Sequence, residues 1–187
     1  MSEPTVAGFV LAGGRSSRMG TDKASLTLES GTMLVRTATE VARATGSVQI
    51  IGRSVEGFRC VPDLIPNAGP IAGVAAALAA TSSPAALIVA CDMPELDSDW
   101  LRSLIRETRP GVTLPRTPDG RLHPLCAVWS RDVAPIVAAA ARNGTRRMHD
   151  LLATLDCHAV DLPDAERHLV NLNTPADVQR WRASHGR

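Results

Sequence analysis

The chain has 187 residues, of which 44% are hydrophobic and 21% charged, and its formal net charge is +1. This length suits a single domain over residues 1–187, which can bury a sizeable core without disulfides or metals. The near-neutral charge argues against a general nucleic-acid or membrane-surface binder, and aromatic residues, at 3%, are too few for a base-stacking platform. Nineteen of the twenty basic residues are Arg, so Lys23 is the one lysine.

Strand and helix patterns alternate along the chain. Short apolar runs that end in Gly, Asp or Pro are typical of buried parallel strands, and apolar residues at helical spacing predict the connecting helices. In chain order we predict a strand at 6–11, a helix at 32–44, strands at 48–51 and 58–61, a helix at 69–80, a strand at 86–90, a helix at 98–109, strands at 112–114 and 125–129, helices at 132–142 and 147–155, a strand at 169–172 and a helix that Thr174 caps.

This alternation predicts an α/β fold: a Rossmann-like three-layer sandwich with a mostly parallel central sheet. Ligands of such sheets bind beyond the carboxyl ends of the strands. The segments that follow the predicted strands are therefore the candidate functional segments. They are residues 12–23, 52–53, 62–73, 91–94 and 171–174.

The segment after the first strand, residues 12–23, combines three glycines with three cations. The glycines let a ligand approach the backbone closely and leave N–H groups free to point at an anion. Arg15, Arg18 and Lys23 supply positive charge, and a compact ammonium fits beside a phosphate oxygen where a planar guanidinium does not. The spacing matches neither a Walker A motif nor Gly-x-Gly-x-x-Gly. The segment predicts either a cradle for a triphosphate or a solvated surface loop.

The predicted central strand, residues 86–90, is followed closely by Asp92. A carboxylate at a strand tip can hold Mg²⁺ against phosphate oxygens, because Mg²⁺ usually takes one or two carboxylates plus substrate phosphates. The alternative is that Asp92 caps the next turn. Asp97 and Asp99 lie where the following helix begins and are predicted to cap it and match its dipole, and Ser98 can also act as the cap.

The segment Leu11-Ala12-Gly13-Gly14-Arg15-Ser16-Ser17-Arg18-Met19-Gly20-Thr21-Asp22-Lys23 resembles the signature of the MobA-like nucleotidyltransferases, which build dinucleotide forms of the molybdenum cofactor. It is most similar to the guanylyltransferases among them. The resemblance covers about residues 5–182 and implies a nucleotidyltransferase-type fold. It implies a nucleotide site mainly in residues 7–95 and a site for the pterin substrate mainly in residues 96–182. Asp92, in a Cys-Asp-Met-Pro segment similar to the family's, is thereby identified as the ligand of a Mg²⁺ cofactor.

The resemblance also implies roles within the nucleotide site. Arg15, Arg18 and Lys23 would neutralise the phosphates and the leaving pyrophosphate, with Arg18, Lys23 and Asp92 as the catalytic residues. Asp63 precedes Gly-Pro-Ile-Ala-Gly, as an acid precedes Gly-Pro-Leu-Ala-Gly in the family; otherwise it is an acid in a polar loop. Gly52 stands where some relatives have an Asn. The implied nucleotide-binding residues are Leu11, Ala12, Gly13, Gly14, Arg15, Lys23, Asp63 and Asp92.

Three segments of the C-terminal half resemble family segments expected near the pterin. They are the strand that begins at His123-Pro124, the Gly-Thr-Arg-Arg segment at 144–147 and the Asn-Leu-Asn-Thr-Pro segment at 171–175. For His123 we expect local packing or hydrogen bonding rather than catalysis. The implied substrate-binding residues are Asn171, Asn173, Arg146 and Arg147, with a turn or cap and a solvated helix end as the alternatives.

The implied reaction transfers GMP from GTP to the terminal phosphate of molybdopterin and releases pyrophosphate. Its nucleophile is already an anionic phosphate, so positioning and charge neutralisation suffice without a strong general base. Two other functions stay open: a cytidylyltransferase that uses CTP on the same pterin, and a carrier that binds guanine nucleotide or cofactor without turnover. The Ala12-Gly13-Gly14 start favours guanine by resemblance.

Cysteine usage and the first residues predict a cytoplasmic location. The four cysteines are widely spaced, without a Cys-x-x-Cys pair, and are expected as buried thiols. The N-terminal residues carry an acid and no Lys or Arg, unlike a secretory signal. We expect GTP and molybdopterin as small-molecule partners and neither nucleic acid nor membrane. Transient contacts with other cofactor-biosynthesis proteins or molybdoenzymes are compatible with these expectations.

Overall fold

A computed structural model describes residues 5–13, 27–28, 31–63, 65 and 69–185. The strands in these ranges are β1 (Val6–Leu11), β2 (Thr27–Leu28), β3 (Gly31–Thr32), β4 (Val48–Ile51), β5 (Arg59–Val61), β6 (Ala85–Ala90), β7 (Val112–Pro115), β8 (Cys126–Ser130) and β9 (Cys157–Val160). The helices are α1 (Met33–Thr45), α2 (Pro70–Ala80), α3 (Ser98–Arg106), α4 (Ala134–Arg142), α5 (Met148–Leu152), α6 (Ala165–His168) and α7 (Pro175–His185), with a 3₁₀ turn at Arg131–Val133.

Seven of the described strands form one sheet in the order β5-β4-β1-β6-β8-β7-β9. β5, β4, β1 and β6 run parallel to one another, β8 runs antiparallel to both of its neighbours, and β9 runs parallel to β7. The mostly parallel sheet is therefore confirmed. The strand order reverses at β1, which has β4 on one side and β6 on the other, and such a reversal is where open α/β sheets bind ligands.

The two faces of the sheet are covered by separate helix layers. Val10 and Leu87 pack in one buried cluster with residues of α1 and α3, whereas Phe9 and Ile88 pack in a second cluster with residues of α2 and α4. Successive residues of a strand point to opposite faces, so an apolar run buried on both sides requires this arrangement. The predicted three-layer sandwich is confirmed.

Helix α2 packs on the sheet through small buried residues. Every residue from Ile71 to Leu78 is buried, and a Cβ at Gly73 would lie 3.2 Å from Leu11 Cδ2. This contact brings the start of α2 next to the carboxyl end of β1.

In the last quarter of the chain one predicted strand is wrong, and one observed strand was not predicted. The segment 169–172 is not a strand: Leu169 ends α6, and the following residues have no regular structure. Leu169 and Leu172 are buried while Val170 is exposed, a spacing of three that does not fit strand alternation. The last strand is instead β9, Cys157–Val160, whose residues are exposed or half-buried. An edge strand of this kind lacks the apolar run that predicts a strand.

The helix caps largely agree with prediction. Asp97 Oδ1 accepts hydrogen bonds from Asp99 N (3.0 Å) and Trp100 N (2.9 Å), so Asp97 rather than Ser98 is the cap of α3. Thr174 Oγ1 accepts from Asp177 N at 3.1 Å, which confirms the predicted start of α7. The predicted ends of two helices, residues 98–109 and 147–155, extend past those of α3 and α5.

The cysteines are all free thiols, but they are not all buried. Cys126 is fully buried, and burial raises the pKa of its thiol. Cys60 and Cys91 are half-buried, whereas Cys157 is exposed on the edge strand, so the expectation of four buried thiols is wrong for Cys157. None of the helices in the described part of the chain has the length and apolar character needed to cross a bilayer.

Candidate active site

The carboxyl ends of four parallel strands meet at one edge of the sheet. Main-chain hydrogen bonds beyond the regular ladder join the residues that follow these strands, so the segments they lead into begin side by side. The bonds run from Cys91 N to Leu11 O (3.2 Å), from Ala12 N to Ile51 O (3.0 Å) and from Gly52 N to Val61 O (2.9 Å).

The Asp63 carboxylate lies against two glycines at this edge. A Cβ at Gly13 would be 2.7 Å from Asp63 Oδ2, and a Cβ at Gly52 would be 2.8 Å from the same oxygen. Neither distance leaves room for a side chain while Asp63 keeps its place. Gly52 also has φ +85°, where an L side chain is strained. The structure thus brings together Gly13 and Asp63, two of the residues that the resemblance implies for the nucleotide.

After β4 this chain has Gly52 rather than an Asn. The space next to Gly52 is filled by the Asp63 carboxylate, which approaches from the segment after β5. Burial raises the pKa of Asp63, because a low-dielectric environment disfavours the charged form. A ligand N–H group that donates to this carboxylate would offset that cost.

Asp92 follows β6 at the same edge and is half-buried, and its Oδ1 atom is shielded from solvent. Its carbonyl oxygen accepts a hydrogen bond from Leu172 N at 2.9 Å. The neighbouring Asn171 Oδ1 is buried and has no hydrogen-bond partner within the described residues. A buried amide oxygen left unpaired costs about 1–3 kcal/mol. Asn171 therefore presents an acceptor that a bound ligand can satisfy, next to the segment that carries Asp92.

Asn173 and the two arginines are less closely tied to this centre. Asn173 is exposed, and its backbone N–H donates to Asp177 Oδ2 at 2.9 Å in the cap of α7. Arg146 and Arg147 are exposed in the connection between α4 and α5. Within the described residues, no hydrogen bond or ion pair links Arg146 or Arg147 to Asp63, Asp92 or Asn171. Their predicted contact with substrate stays a prediction.

His123 is buried just before β8 and bonds locally. Its Nε2 lies 3.3 Å from Thr117 Oγ1, and that hydroxyl donates to Asp119 Oδ1 at 2.6 Å. The same hydroxyl also lies 3.1 Å from Arg121 O, so His123 belongs to a local hydrogen-bond network. Burial, assisted by Arg121, lowers the pKa of His123. The arrangement is no nucleophile–base pair, and the expectation of local hydrogen bonding is confirmed.

Several predicted site residues, Gly14, Arg15, Arg18 and Lys23, lie outside the described residues. Two side chains that the sequence analysis passed over meet at the end of the segment that carries Asp92: Trp181 Nε1 donates to Glu95 Oε1. The sequence gives little indication of this contact of Glu95, because an acidic residue shortly before a helix usually caps that helix. Here Asp97 holds that role.

The donors at this edge fit a magnesium ion bound together with a phosphate. No group of three or more His, Cys, Asp or Glu side chains in the described ranges is arranged to hold a metal by itself. Mg²⁺ does not require such a cage, because it retains waters and takes one or two carboxylates plus substrate phosphates. The Asp92 carboxylate is a hard oxygen donor of the kind that this mode of binding needs.

Comparison with known proteins gives one consistent family. Residues 8–161 match the model of the MobA-like NTP transferase domain. A probable molybdenum cofactor guanylyltransferase of Opitutus terrae is 37% identical over 96% of each chain. A probable molybdenum cofactor guanylyltransferase of Pelotomaculum thermopropionicum is 33% identical over 94% of this chain and 91% of its own.

The fold is shared with molybdopterin-guanine dinucleotide biosynthesis protein A from Archaeoglobus fulgidus, with a TM-score of 0.82, 21% identity and coverage of 96% of this chain and 98% of that one. A Mycobacterium tuberculosis H37Rv protein, solved as a complex with manganese, has a TM-score of 0.68 and 20% identity over 96% of this chain and 99% of its own. The family model matches residues 8–161, and the relatives are similar over nearly their whole length. This chain therefore belongs to the MobA-like NTP transferase family.

Proposed function

We propose that this protein transfers GMP from GTP to the terminal phosphate of molybdopterin, forming the guanine dinucleotide cofactor and pyrophosphate. The observation that carries the proposal is the carboxylate of Asp63 over Gly13 and Gly52, at the strand edge that also holds Asp92. The guanylyltransferase names of its relatives support the same pair of substrates.

Asp63 would recognise the base. The Watson–Crick edge of guanine presents two adjacent N–H donors, on N1 and N2, and a carboxylate can accept both with its two oxygens. Cytosine presents one such donor, on N4, beside an acceptor. Bonds from guanine would also favour the charged form of Asp63, whose pKa is raised by burial. The geometry thus supports GTP over CTP.

The triphosphate would lie along the segment after β1. Leu11, Ala12 and Gly13 lead into it from the strand end, and the Gly14 backbone would approach the nucleotide. Arg15, Arg18 and Lys23 would neutralise the phosphates, and Arg18 and Lys23 would stabilise the leaving pyrophosphate. This part rests on the charge of the segment and on the family resemblance.

Asp92 would hold Mg²⁺ as the cofactor; a protein of the same fold is described as a manganese complex. When bound, the ion would offset negative charge on the α-phosphate and orient it for in-line displacement. Asn171, Asn173, Arg146 and Arg147 would bind the pterin. Asn171 has the strongest physical support, because its buried Oδ1 gains a partner when a ligand donates to it.

We further propose one domain over residues 1–187, with the nucleotide bound mainly by residues 7–95 and the pterin mainly by residues 96–182. The hydrogen bond from Leu172 N to Asp92 O brings the two parts together. GTP and molybdopterin would be its partners in the cytoplasm, without nucleic acid or membrane, and cofactor-biosynthesis proteins or molybdoenzymes would be transient contacts.

One assay tests the function. The purified protein is incubated with molybdopterin, Mg²⁺ and either GTP or CTP, and pyrophosphate and the pterin dinucleotide are measured. We expect both products with GTP alone. Products with CTP alone would make it a cytidylyltransferase, and nucleotide binding without product would make it a carrier; either result would refute the proposal.

A further inference from the structure

The turn that carries Asp92, residues 91–95, is held by groups far away in sequence. Its carbonyl oxygens accept hydrogen bonds from three other parts of the fold, so the main chain is fixed along most of the turn. The contacts join Leu172 N to Asp92 O (2.9 Å), Arg36 Nε to Pro94 O (2.7 Å) and His168 Nδ1 to Glu95 O (2.8 Å).

Glu95 also uses its side chain. The carboxylate is almost buried, with 8% of the side chain exposed, and Arg167 Nε lies 3.9 Å from Oε2. Trp181 Nε1 donates a hydrogen bond to Oε1. A buried carboxylate is costly unless it is hydrogen-bonded or paired, and both contacts offset that cost. The Glu95 side chain thereby joins the Asp92 turn to both α6 and α7.

Trp181 is itself well supported. Its ring packs against a buried apolar cluster formed by Met33, Leu172 and Val178. Leu172 of this cluster is also the residue whose amide binds Asp92 O. Two contacts therefore connect Trp181 and its cluster to the Asp92 turn: the Leu172 amide binds Asp92 O, and the indole N–H binds Glu95.

From these contacts we infer that Glu95 and Trp181 are positioning residues for Asp92. The hydrogen bond between their side chains keeps the Asp92 turn in the conformation that presents its carboxylate to the metal. The strand before the turn is held by the sheet, and the helix after it by packing on α1. Loss of the hydrogen bond would therefore loosen the turn without unfolding its neighbours. The inference rests on the proposed function, which assigns the metal to Asp92.

The test measures binding of Mn²⁺, detected by electron paramagnetic resonance in the presence of GTP, alongside kcat and KM for GTP. Trp181→Phe keeps an aromatic ring but removes the donor, and Glu95→Leu removes the acceptor. Glu95→Gln retains an acceptor oxygen at the same place. Trp129→Phe is the matched control, because it also removes an indole donor, to Pro124 O at 3.3 Å, but in the apolar cluster on the opposite face of the sheet.

We expect Trp181→Phe and Glu95→Leu to weaken Mn²⁺ binding about tenfold, the usual scale for residues that orient a metal ligand. kcat should fall while KM for GTP is unchanged, because the substitutions do not alter the proposed contact of Asp63 with the base. Glu95→Gln and Trp129→Phe should bind Mn²⁺ like the unmodified protein. If one loss variant fails to fold, the other carries the test.

Wild-type Mn²⁺ affinity in a folded Trp181→Phe or Glu95→Leu protein would overturn the inference, as would an equal loss in Glu95→Gln. Failure of the proposed function is separately visible. The metal measurement needs no turnover, and Asp92→Asn, measured in parallel, reports whether Asp92 binds the ion at all.

Discussion

The Leu172 amide donates a hydrogen bond to the Asp92 carbonyl oxygen over 2.9 Å. Asp92 follows the central strand of the N-terminal half, whereas Leu172 lies between α6 and α7 near the end of the chain. The contact brings Asn171, whose buried oxygen has no partner in the described part of the chain, next to the segment that carries the proposed metal ligand. The proposed nucleotide and pterin sites are thereby joined at one edge of one sheet.

Asp92→Ala should lower dinucleotide formation at least about tenfold, because the proposed metal loses its protein carboxylate. Circular dichroism should show an unchanged fold. Asp99→Ala is the control, since the Asp99 side chain is 88% exposed in the first turn of α3. Equal rates in Asp92→Ala and the unmodified protein would remove Asp92 from the mechanism.

Asp63→Asn should reduce kcat/KM for GTP by about tenfold or more, because one of two acceptors for the guanine N–H groups becomes a donor. The same change should narrow the preference for GTP over CTP, since a carboxamide suits the edge of cytosine better than a carboxylate does. Steady-state kinetics with both nucleotides measure the ratio. An unaltered ratio would mean that Asp63 does not contact the base.

Gly52→Ala should impair GTP binding, because its Cβ would lie 2.8 Å from Asp63 Oδ2. The backbone strain alone, at a positive φ, costs about 1 kcal/mol of unfolding free energy. Gly57→Ala separates the two effects: Gly57 has φ +81° and nothing within 4 Å of a Cβ. Both variants should lose stability in chemical denaturation, but Gly52→Ala alone should raise KM for GTP. A similar rise in Gly57→Ala would attribute the effect to strain.

Lys23→Ala should lower the rate of dinucleotide formation at least about tenfold, because a cation that offsets phosphate charge is lost. Lys23→Arg is the informative partner. If the site needs a compact ammonium beside a phosphate oxygen, Arg will not restore the rate. Full activity of Lys23→Arg would mean that charge alone matters at this position, and full activity of Lys23→Ala would exclude the residue from the reaction.

His123 should make stability depend on pH below neutrality. Its folded-state pKa is lowered from 6.5, chiefly by burial, so the unfolded chain binds a proton more readily than the folded one. The contribution is complete above pH 6.5 and is lost as pH falls from 6.5 through the folded pKa. Urea unfolding between pH 5 and 8 should show this slope. The slope should be smaller in His123→Gln, and an identical slope would assign it to other groups.

The sequence by itself determined the local elements. Val6–Leu11 and Val48–Ile51 are strands as predicted, and Thr174 begins a helix, because side-chain periodicity and capping depend on residues a few positions apart. The order of strands and helices likewise predicted the three-layer fold and the sheet edge to which Asp92 belongs.

Tertiary structure alone decided which distant groups meet. Cys157–Val160 is a strand because it pairs with the edge of β7. Leu169–Leu172 is not, because Leu169 ends α6 and is buried in the cluster with α1 and α3, and Leu172 is buried in the apolar cluster with Val178 of α7. The Asp63 carboxylate over Gly13 and Gly52, and the contact of Glu95 with Trp181, join segments far apart in the chain. Such contacts follow from the reversal of strand order at β1 and from the packing of α7, neither of which any local pattern of residues encodes.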